Sequence, residues 1–208
     1  YTLWHTLSLH DALPICTPEA LFRWLTASIL YSARIDARIA TRAAAGVAEA
    51  GWTSAEALAA SAVDERIAVL DRAQYTRYDE RAARLLGEAA EHVRDAYDGD
   101  LRRLREAAGC DAKAEQRLLN DVPGLGPTGV KIFCREVQAA WDELHPFCDK
   151  KAWGAAKALE LARSVKELAG LVPPDDFPRL VAALARCALA HDEHAIRAAA
   201  RADATAGA

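Results

Sequence analysis

The helical spacing of the apolar residues is the feature that most restricts the fold of this chain. Within residues 77–97, apolar side chains recur every three or four positions, at Ala82, Leu85, Leu86, Ala89 and Val93. That interval places them on one face of an α-helix, whereas a half-buried strand would need alternation with a period of two. No segment of the sequence alternates convincingly in that way. The pattern therefore predicts an all-α fold.

Turn and capping residues divide this pattern into helices. Thr17-Pro18 is a typical helix start, because the hydroxyl caps the first turn and proline fits the first helical position. Thr53 and Glu56 have the spacing of a capping box, which predicts a short helix there. Another helix is expected after Ser61, and the tail after about residue 191 is expected to fray. The remaining helices are predicted near residues 17–32, 36–50, 77–97, 101–108, 112–120, 128–141, 149–162 and 177–190.

The composition limits the classes of protein to which the chain can belong. No stretch approaches the roughly 18 consecutive apolar residues of a membrane span. The five cysteines are widely spaced and form no Cys-x-x-Cys pair, so neither a zinc ribbon nor a disulfide framework is expected. The formal net charge of −4 counts mildly against a nucleic-acid partner, although a local basic face can exist on an acidic protein. We expect a cytoplasmic monomer that makes no contact with a membrane.

The first residues differ in style from the rest of the chain. Residues 1–15 contain no Lys, Arg or Glu, whereas the sequence after them is rich in Arg, Ala and Glu. They resemble a translated sequencing-adapter read-through, and the chain contains no Met. We therefore expect residues 1–16 to be non-native and natural sequence to begin near Cys16 or Thr17. A native segment before that point is expected to be missing.

A turn rich in glycine and proline joins two of the predicted helices. The sequence LLNDVPGLGPTGV at residues 118–130 separates Gly124 from Gly126 by a single residue, which lets a backbone turn sharply and approach another molecule. Amide N–H groups at the start of the following helix would be free to bind an anion such as a DNA phosphate. Val122 and Leu125 would anchor the hairpin in the core. The alternative interpretation is an ordinary turn between two helices.

This hairpin resembles the helix-hairpin-helix signature of the endonuclease III and adenine-glycosylase superfamily (HhH-GPD) of base-excision DNA glycosylases. In that family a catalytic aspartate follows the hairpin, after a turn and at the start of a helix. Here Asp149 stands in that setting, within HPFCDKKA at residues 145–152. Upstream, the sequence ILYSAR ends at Arg34, where the family carries the polar side chain that enters the DNA stack. Gln74-Tyr75 lies near the turn that precedes the family's long helix.

The resemblance covers roughly residues 17–165 and implies a two-lobed helical glycosylase fold. Residues 17–142 would form a six-helix lobe with the helix-hairpin-helix at 118–133, and residues 143–208 a second lobe that begins with the aspartate loop. Double-stranded DNA would cross the groove between the lobes, with the protein associated with the nucleoid. The carbonyls of Val122 and Gly124 would be able to hold a monovalent cation. The residues expected to contact DNA are Val122, Gly124, Leu125, Gly126, Thr128, Gly129, Lys131, Lys150 and Lys151.

The resemblance also assigns chemistry to two side chains. Cleavage of an N-glycosidic bond produces an oxocarbenium-like sugar, and a carboxylate at Asp149 would stabilise that charge and orient or deprotonate the attacking water. Its alternative role is a plain helix N-cap, where aspartate is common for structural reasons alone. Arg34 would act as the DNA wedge that fills the gap left by an extruded nucleotide. Its alternative role is an ordinary solvated arginine.

Two departures from endonuclease III narrow the expected activity. The catalytic lysine of that enzyme aligns with Thr128, which cannot form a Schiff base with the sugar, and Lys131 is expected to face elsewhere. The sequence therefore predicts a monofunctional glycosylase with doubtful lyase activity. The family's iron–sulfur cluster needs four closely spaced cysteines after the aspartate, and only Cys187 lies there, so no cluster and no other cofactor is expected. No metal site is expected at His191 and His194.

Two other functions remain open. One is a non-catalytic helix-hairpin-helix protein that uses the hairpin only to bind DNA, and the other is a helical scaffold that binds no DNA, which the negative net charge favours. In the glycosylase and in the non-catalytic DNA-binding protein, a basic rim for phosphates would be formed by Lys131, Arg135, Lys150, Lys151 and Lys157. Alternatively, each of them is part of a solvated helix face.

Overall fold

The computed structural model describes residues 16–206, with side chains from residue 16 to residue 199. The described residues form α-helices and two short 3-10 helices, and no strand occurs among them. The all-α prediction is confirmed. The segment 1–15, which was expected to be non-native, lies outside the described residues.

The helices are numbered here in chain order. They are α1 (Pro18–Ser32), α2 (Ala37–Glu49), α3 (Ala55–Ala60), α4 (Val63–Arg72), α5 (Asp79–Tyr97), α6 (Leu101–Ala107), α7 (Ala112–Asp121), α8 (Gly126–Val137), α9 (Lys150–Ala158), α10 (Val165–Ala169), α11 (Phe177–Ala190) and α12 (Glu193–Ala206). The 3-10 helices are Asp142–Leu144 and Pro174–Asp176.

Helix starts agree with the sequence where a capping side chain is present. The hydroxyl of Thr17 accepts a hydrogen bond from the amide of Ala20 at 3.2 Å, as expected for α1. The expected capping box at residues 53–56 is wrong in detail. Ser54 caps α3 by accepting from the amide of Ala57 at 3.2 Å, because α3 begins one residue later than a cap at Thr53 would require.

Helix ends and the chain terminus differ more from expectation. After Val137, α8 passes into tighter turns in which the amides of Ala139 and Ala140 bond three residues back, so it ends before the predicted residue 141. Glu160, with φ of 58°, turns the chain soon after α9 ends at Ala158. Instead of the expected frayed tail, the structure has α12, where Arg197 pairs with Glu160 at 2.6 Å.

The chain divides into two compact units, Tyr1–Phe133 and Cys134–Ala208. The boundary lies inside α8, earlier than the expected boundary after residue 142. Gln138 explains the difference, since its side chain makes two hydrogen bonds to the backbone of Phe147 and so ties the end of α8 to the second unit. The assignment of these units to the lobes of a glycosylase stays a prediction.

In the first unit, most residues of α1 are buried. Leu21, Leu25 and Leu30 are fully buried, and each contributes roughly 1.5–3 kcal/mol through removal of apolar surface from water. α1 packs against α2, α5 and α6, while α3 and α4 pack against α5. The indole N–H of Trp24 donates to the carbonyl of Phe133 at 3.2 Å, so α1 also holds α8.

The second unit has its own small core. α9 packs on α11, with Phe177, Val181 and Leu184 buried against the alanine face of α9. Ala152, Ala155 and Ala156 form that face, and their small side chains allow the two helices to approach closely. This packing fixes α9 and with it the residue that begins the helix, Asp149.

Candidate functional site

The turn between α7 and α8 adopts the tight hairpin that the sequence predicts. Gly124 has φ of 78° and Gly126 has φ of 56°, which is the left-handed region that favours glycine. Val122 and Leu125 are each 1% exposed, so they anchor the hairpin in the core as expected. Their burial also means that the side chains of these two residues are not available to DNA, although their backbone remains a candidate contact.

Glycine is also required by the close packing of the hairpin. A Cβ on Gly124 would lie 2.9 Å from Cβ of Leu85 and 3.3 Å from Cγ2 of Ile29. A Cβ on Gly129 would lie 2.8 Å from Cδ1 of Leu125. Gly129 is therefore a buried packing residue, and its expected contact with DNA stays a prediction.

The hairpin offers fewer free amide N–H groups for hydrogen bonds to a phosphate than the sequence suggests. A helix leaves its first amide N–H groups without partners inside the helix. In α8, however, Pro127 has no amide hydrogen, and the amide of Gly129 donates to the carbonyl of Leu125 at 3.1 Å. The candidate donors at this helix start are therefore the amides of Gly126 and Thr128. The carbonyl of Val122, a candidate cation ligand, already accepts from the amide of Leu125 at 3.2 Å.

Thr128 and Lys131 both lie in α8 and both are exposed. Residues three apart on an α-helix are neighbours on the same side of it. Thr128 and Lys131 therefore lie on the same side of α8, and the expectation that the Lys131 amine faces away from the site stays a prediction.

A cleft of ≈ 580 Å³ lies beside the hairpin in the first unit. Its walls come from the end of α1, from the segment that leads into α5, and from the hairpin itself. These three segments are far apart in the sequence, and they contain Arg34, Gln74-Tyr75 and residues 122–126 respectively. The structure brings Arg34, Tyr75 and the hairpin together around one cleft.

The side chains around this cleft have different roles. The hydroxyl of Tyr75 donates to the carbonyl of Leu30 at 3.0 Å, and burial raises the pKa of this phenol to about 12, so it is a structural tie. Arg34 is exposed and makes no hydrogen bond or ion pair with another described residue. Tyr78 and Arg81 also line the cleft, although the sequence does not predict a role for either of them. Nothing in their spacing separates them from ordinary residues at a helix start.

Asp149 lies at the start of α9 and is firmly held. One carboxylate oxygen, Oδ1, accepts from the backbone amides of Lys151 at 2.7 Å and Ala152 at 3.0 Å. The other, Oδ2, accepts from Nη1 of Arg135 at 2.8 Å. The Asp149 side chain is 7% exposed and that of Arg135 is 14% exposed. Asp149 is therefore both an N-cap and one half of a buried ion pair.

The other expected basic residues fall into two groups. Lys131, Lys150, Lys151 and Lys157 are exposed, as both a phosphate-binding rim and a solvated face require. Arg135 differs, because its guanidinium is largely buried and faces Asp149 rather than solvent. Beside this pair, burial raises the pKa of the Cys148 thiol to about 11, so the thiol stays protonated near neutral pH.

Among residues 16–199, whose side chains the structure describes, no three His, Cys, Asp or Glu side chains come together in a way that would hold a metal ion. Among residues 16–206, no helix has the length and apolar character needed to cross a membrane.

Comparison of the chain with protein-family models, with curated proteins and with solved structures gave no match.

Proposed function

We propose that this protein is a DNA N-glycosylase of base-excision repair, which hydrolyses the bond between a damaged or mismatched base and its sugar. The observation that carries the proposal is Asp149, a buried carboxylate that three N–H donors hold in one orientation at the start of α9. It follows a tight glycine hairpin of the kind that binds DNA phosphates. In the proposed reaction, the hairpin would bind the DNA backbone and the carboxylate would act on the sugar.

Each part has a physical task in the proposed reaction. As the bond from C1′ to the base lengthens, positive charge develops on the sugar, and the fixed negative charge of Asp149 stabilises it. Water then adds to C1′, its proton is released, and the base leaves as a neutral molecule after taking up a proton. With Thr128 in the lysine position, hydrolysis rather than Schiff-base chemistry is the proposed course.

The first unit would supply the contacts to double-stranded DNA. The amides of Gly126 and Thr128 and the exposed ammonium of Lys131 are donors to phosphate oxygens. Arg34, on the rim of the cleft, would be the wedge that replaces the extruded nucleotide. The monovalent cation at the carbonyls of Val122 and Gly124, and association with the nucleoid, belong to the same proposal.

A second candidate function is a non-catalytic DNA-binding protein, which one specific observation favours. Capping of α9 and the ion pair with Arg135 use both oxygens of Asp149, so each oxygen has a partner within the protein without any substrate. In that case the hairpin would bind phosphates and no bond would be broken.

Base release distinguishes the two functions. Duplexes that carry a panel of oxidised, alkylated, deaminated and mismatched bases would be incubated with wild type and with Asp149→Asn. Asparagine caps helices about as well as aspartate, so the variant keeps a capping oxygen but loses both the charge and its ion pair with Arg135, and circular dichroism checks that it is folded at the assay temperature. Base release by wild type, with a loss of at least about 100-fold in the variant, is the expected result because the lost charge stabilises the transition state.

The matched control is Asp111→Asn. Asp111 caps α7 by accepting from the amide of Ala114 at 2.8 Å, but it is exposed. This variant is expected to keep wild-type activity. Wild-type protein that binds the duplexes and releases no base from any of them would overturn the glycosylase proposal and leave the binding protein.

A further inference from the structure

Two side chains at the end of α8 hold the loop that carries Asp149. Nε2 of Gln138 donates to the carbonyl of Phe147 at 2.9 Å, and Oε1 of Gln138 accepts from the Phe147 amide at 2.8 Å. Gln138 is only 3% exposed, and its Nε2 also donates to the carbonyl of Arg135 at 2.8 Å. Gln138 therefore holds both the amide and the carbonyl of Phe147, two residues before Asp149.

Arg135, one turn earlier, fixes the carboxylate itself. The cap of α9 uses Oδ1 of Asp149, while Arg135 binds Oδ2. The cap therefore does not need the arginine. Nε of Arg135 lies 3.6 Å from Oε1 of Glu136, too far for a hydrogen bond, and has no hydrogen-bond partner among the described residues, so the bond to Asp149 is the one that orients this guanidinium toward the carboxylate. The two oxygens of Asp149 thus have separate partners that together define the plane of the carboxylate.

Stability alone does not account for this arrangement. Ion pairs that are removed from water lose much of their Coulombic gain to desolvation, and apolar replacements are often as stable. The charge-assisted hydrogen bond from Arg135 instead fixes the orientation of the carboxylate, because it holds Oδ2 of Asp149 in one position. A carboxylate that must face a developing sugar cation benefits from that constraint.

We infer that Arg135 is a positioning residue for the hydrolytic reaction, acting through Oδ2 of Asp149, with Gln138 holding the loop backbone. The inference rests on the proposed glycosylase function. It replaces the sequence-based interpretation of Arg135 as part of a phosphate-binding rim. The two interpretations differ in what Arg135 changes, since a positioning residue alters the rate of the bound complex and a phosphate contact alters affinity.

The test compares Arg135→Gln and Arg135→Lys with wild type on the duplex that wild type cleaves best. Single-turnover base release gives the rate of the bound complex, and fluorescence anisotropy gives Kd at several salt concentrations. Arg135→Gln is expected to lower the single-turnover rate by about 10- to 100-fold, the effect of a misplaced catalytic group, with Kd within about twofold of wild type. Arg135→Lys is expected to have an intermediate rate, because lysine restores the charge without the fixed geometry.

The matched control is Arg179→Gln, which removes an exposed arginine paired with Asp176 at 3.2 Å in the same unit. It is expected to match wild type in both rate and Kd. Thermal melting followed by circular dichroism checks that each variant is folded at the assay temperature. If Arg135→Gln is unfolded there, Arg135→Lys decides, and a wild-type rate in that variant overturns the inference.

The remaining outcomes separate the two claims. In one outcome, Arg135→Gln keeps the wild-type rate but binds DNA more weakly, and the slope of its binding constant against salt concentration falls by the amount expected for about one phosphate contact. That result would show that Arg135 binds DNA. It would overturn the inference while the glycosylase function stands. An active wild type with an unaffected Arg135→Gln would do the same. A wild type that releases no base would overturn the proposed function, and the inference would fall with it.

Discussion

Asp149 and Asp111 have the same local role and different surroundings. Each begins a helix and accepts hydrogen bonds from backbone amides. Asp149 alone of the two is buried, and Arg135 binds its second oxygen. The sequence around each aspartate identifies the cap, because capping is local. It does not identify the ion pair, because the partner lies 14 positions away and its direction depends on how the loop folds back.

Tyr75 shows the same limit at another residue. The sequence placed it near a turn, but only the structure shows its hydroxyl bound to the carbonyl of Leu30. Burial raises the pKa of Tyr75 to about 12, above the value of 10.0 for an exposed phenol. The native state therefore keeps the phenol proton over a pH range in which the unfolded chain loses it. Stability from this group is complete below pH 10 and is lost as the pH rises through about 12.

Tyr75→Phe tests this assignment. At neutral pH the variant is expected to be less stable by about 1 kcal/mol, since the buried carbonyl of Leu30 loses its donor. Between pH 10 and 12, wild type is expected to lose stability more steeply than the variant, because phenylalanine has no proton to release. Urea unfolding across this range measures both effects, with Tyr78→Phe as the control. Parallel curves for wild type and Tyr75→Phe above pH 10 would contradict the burial of this hydroxyl.

At the scale of elements, the sequence is a better guide to where helices begin than to where they end. Pro18 and the cap at Asp149 located the starts of α1 and α9, since these signals act within one turn. The ends of α8 and α9 depend on tertiary contacts and on a left-handed residue at Glu160, which sequence spacing does not specify. α12 was missed because its alanine-rich sequence carries few large apolar residues, and a contact from Arg197 is what ties it down.

The hairpin is the element whose backbone is most strictly required. Gly124→Ala places a side chain at φ of 78° and also 2.9 Å from Cβ of Leu85. The combined strain and overpacking are expected to cost about 3 kcal/mol of unfolding free energy. Gly51→Ala is the matched control, because Gly51 has φ of 82° and open space around it. Its expected cost is about 1 kcal/mol, from backbone strain alone.

Chemical denaturation of the two variants separates backbone strain from packing. If Gly124→Ala and Gly51→Ala lose the same amount of stability, the close contacts of Gly124 with Leu85 of α5 and Ile29 of α1 are contradicted. A larger loss for Gly124→Ala, with α-helical circular dichroism retained, is the expected result.

For the whole molecule, the sequence predicts the fold class and misplaces the internal boundary. Helical periodicity is repeated along the chain, so the all-α class is secure from sequence alone. The division at residues 133 and 134 falls inside a continuous helix, where no glycine, proline or change of composition marks it. The cleft beside the hairpin could not be predicted either, because it joins residues from three distant segments such as Arg34, Arg81 and Asn120.

The products formed by wild type test the central claim most directly. A duplex labelled on the lesion strand would be incubated with excess protein, with and without borohydride, and the free base would be identified by mass spectrometry. We expect free base, an intact abasic strand that breaks only after alkali, and no protein trapped on DNA by borohydride, since Thr128 cannot form a Schiff base. Trapped protein that disappears in Lys131→Ala would contradict hydrolysis as the course of the reaction, and the absence of any free base would contradict the glycosylase function itself.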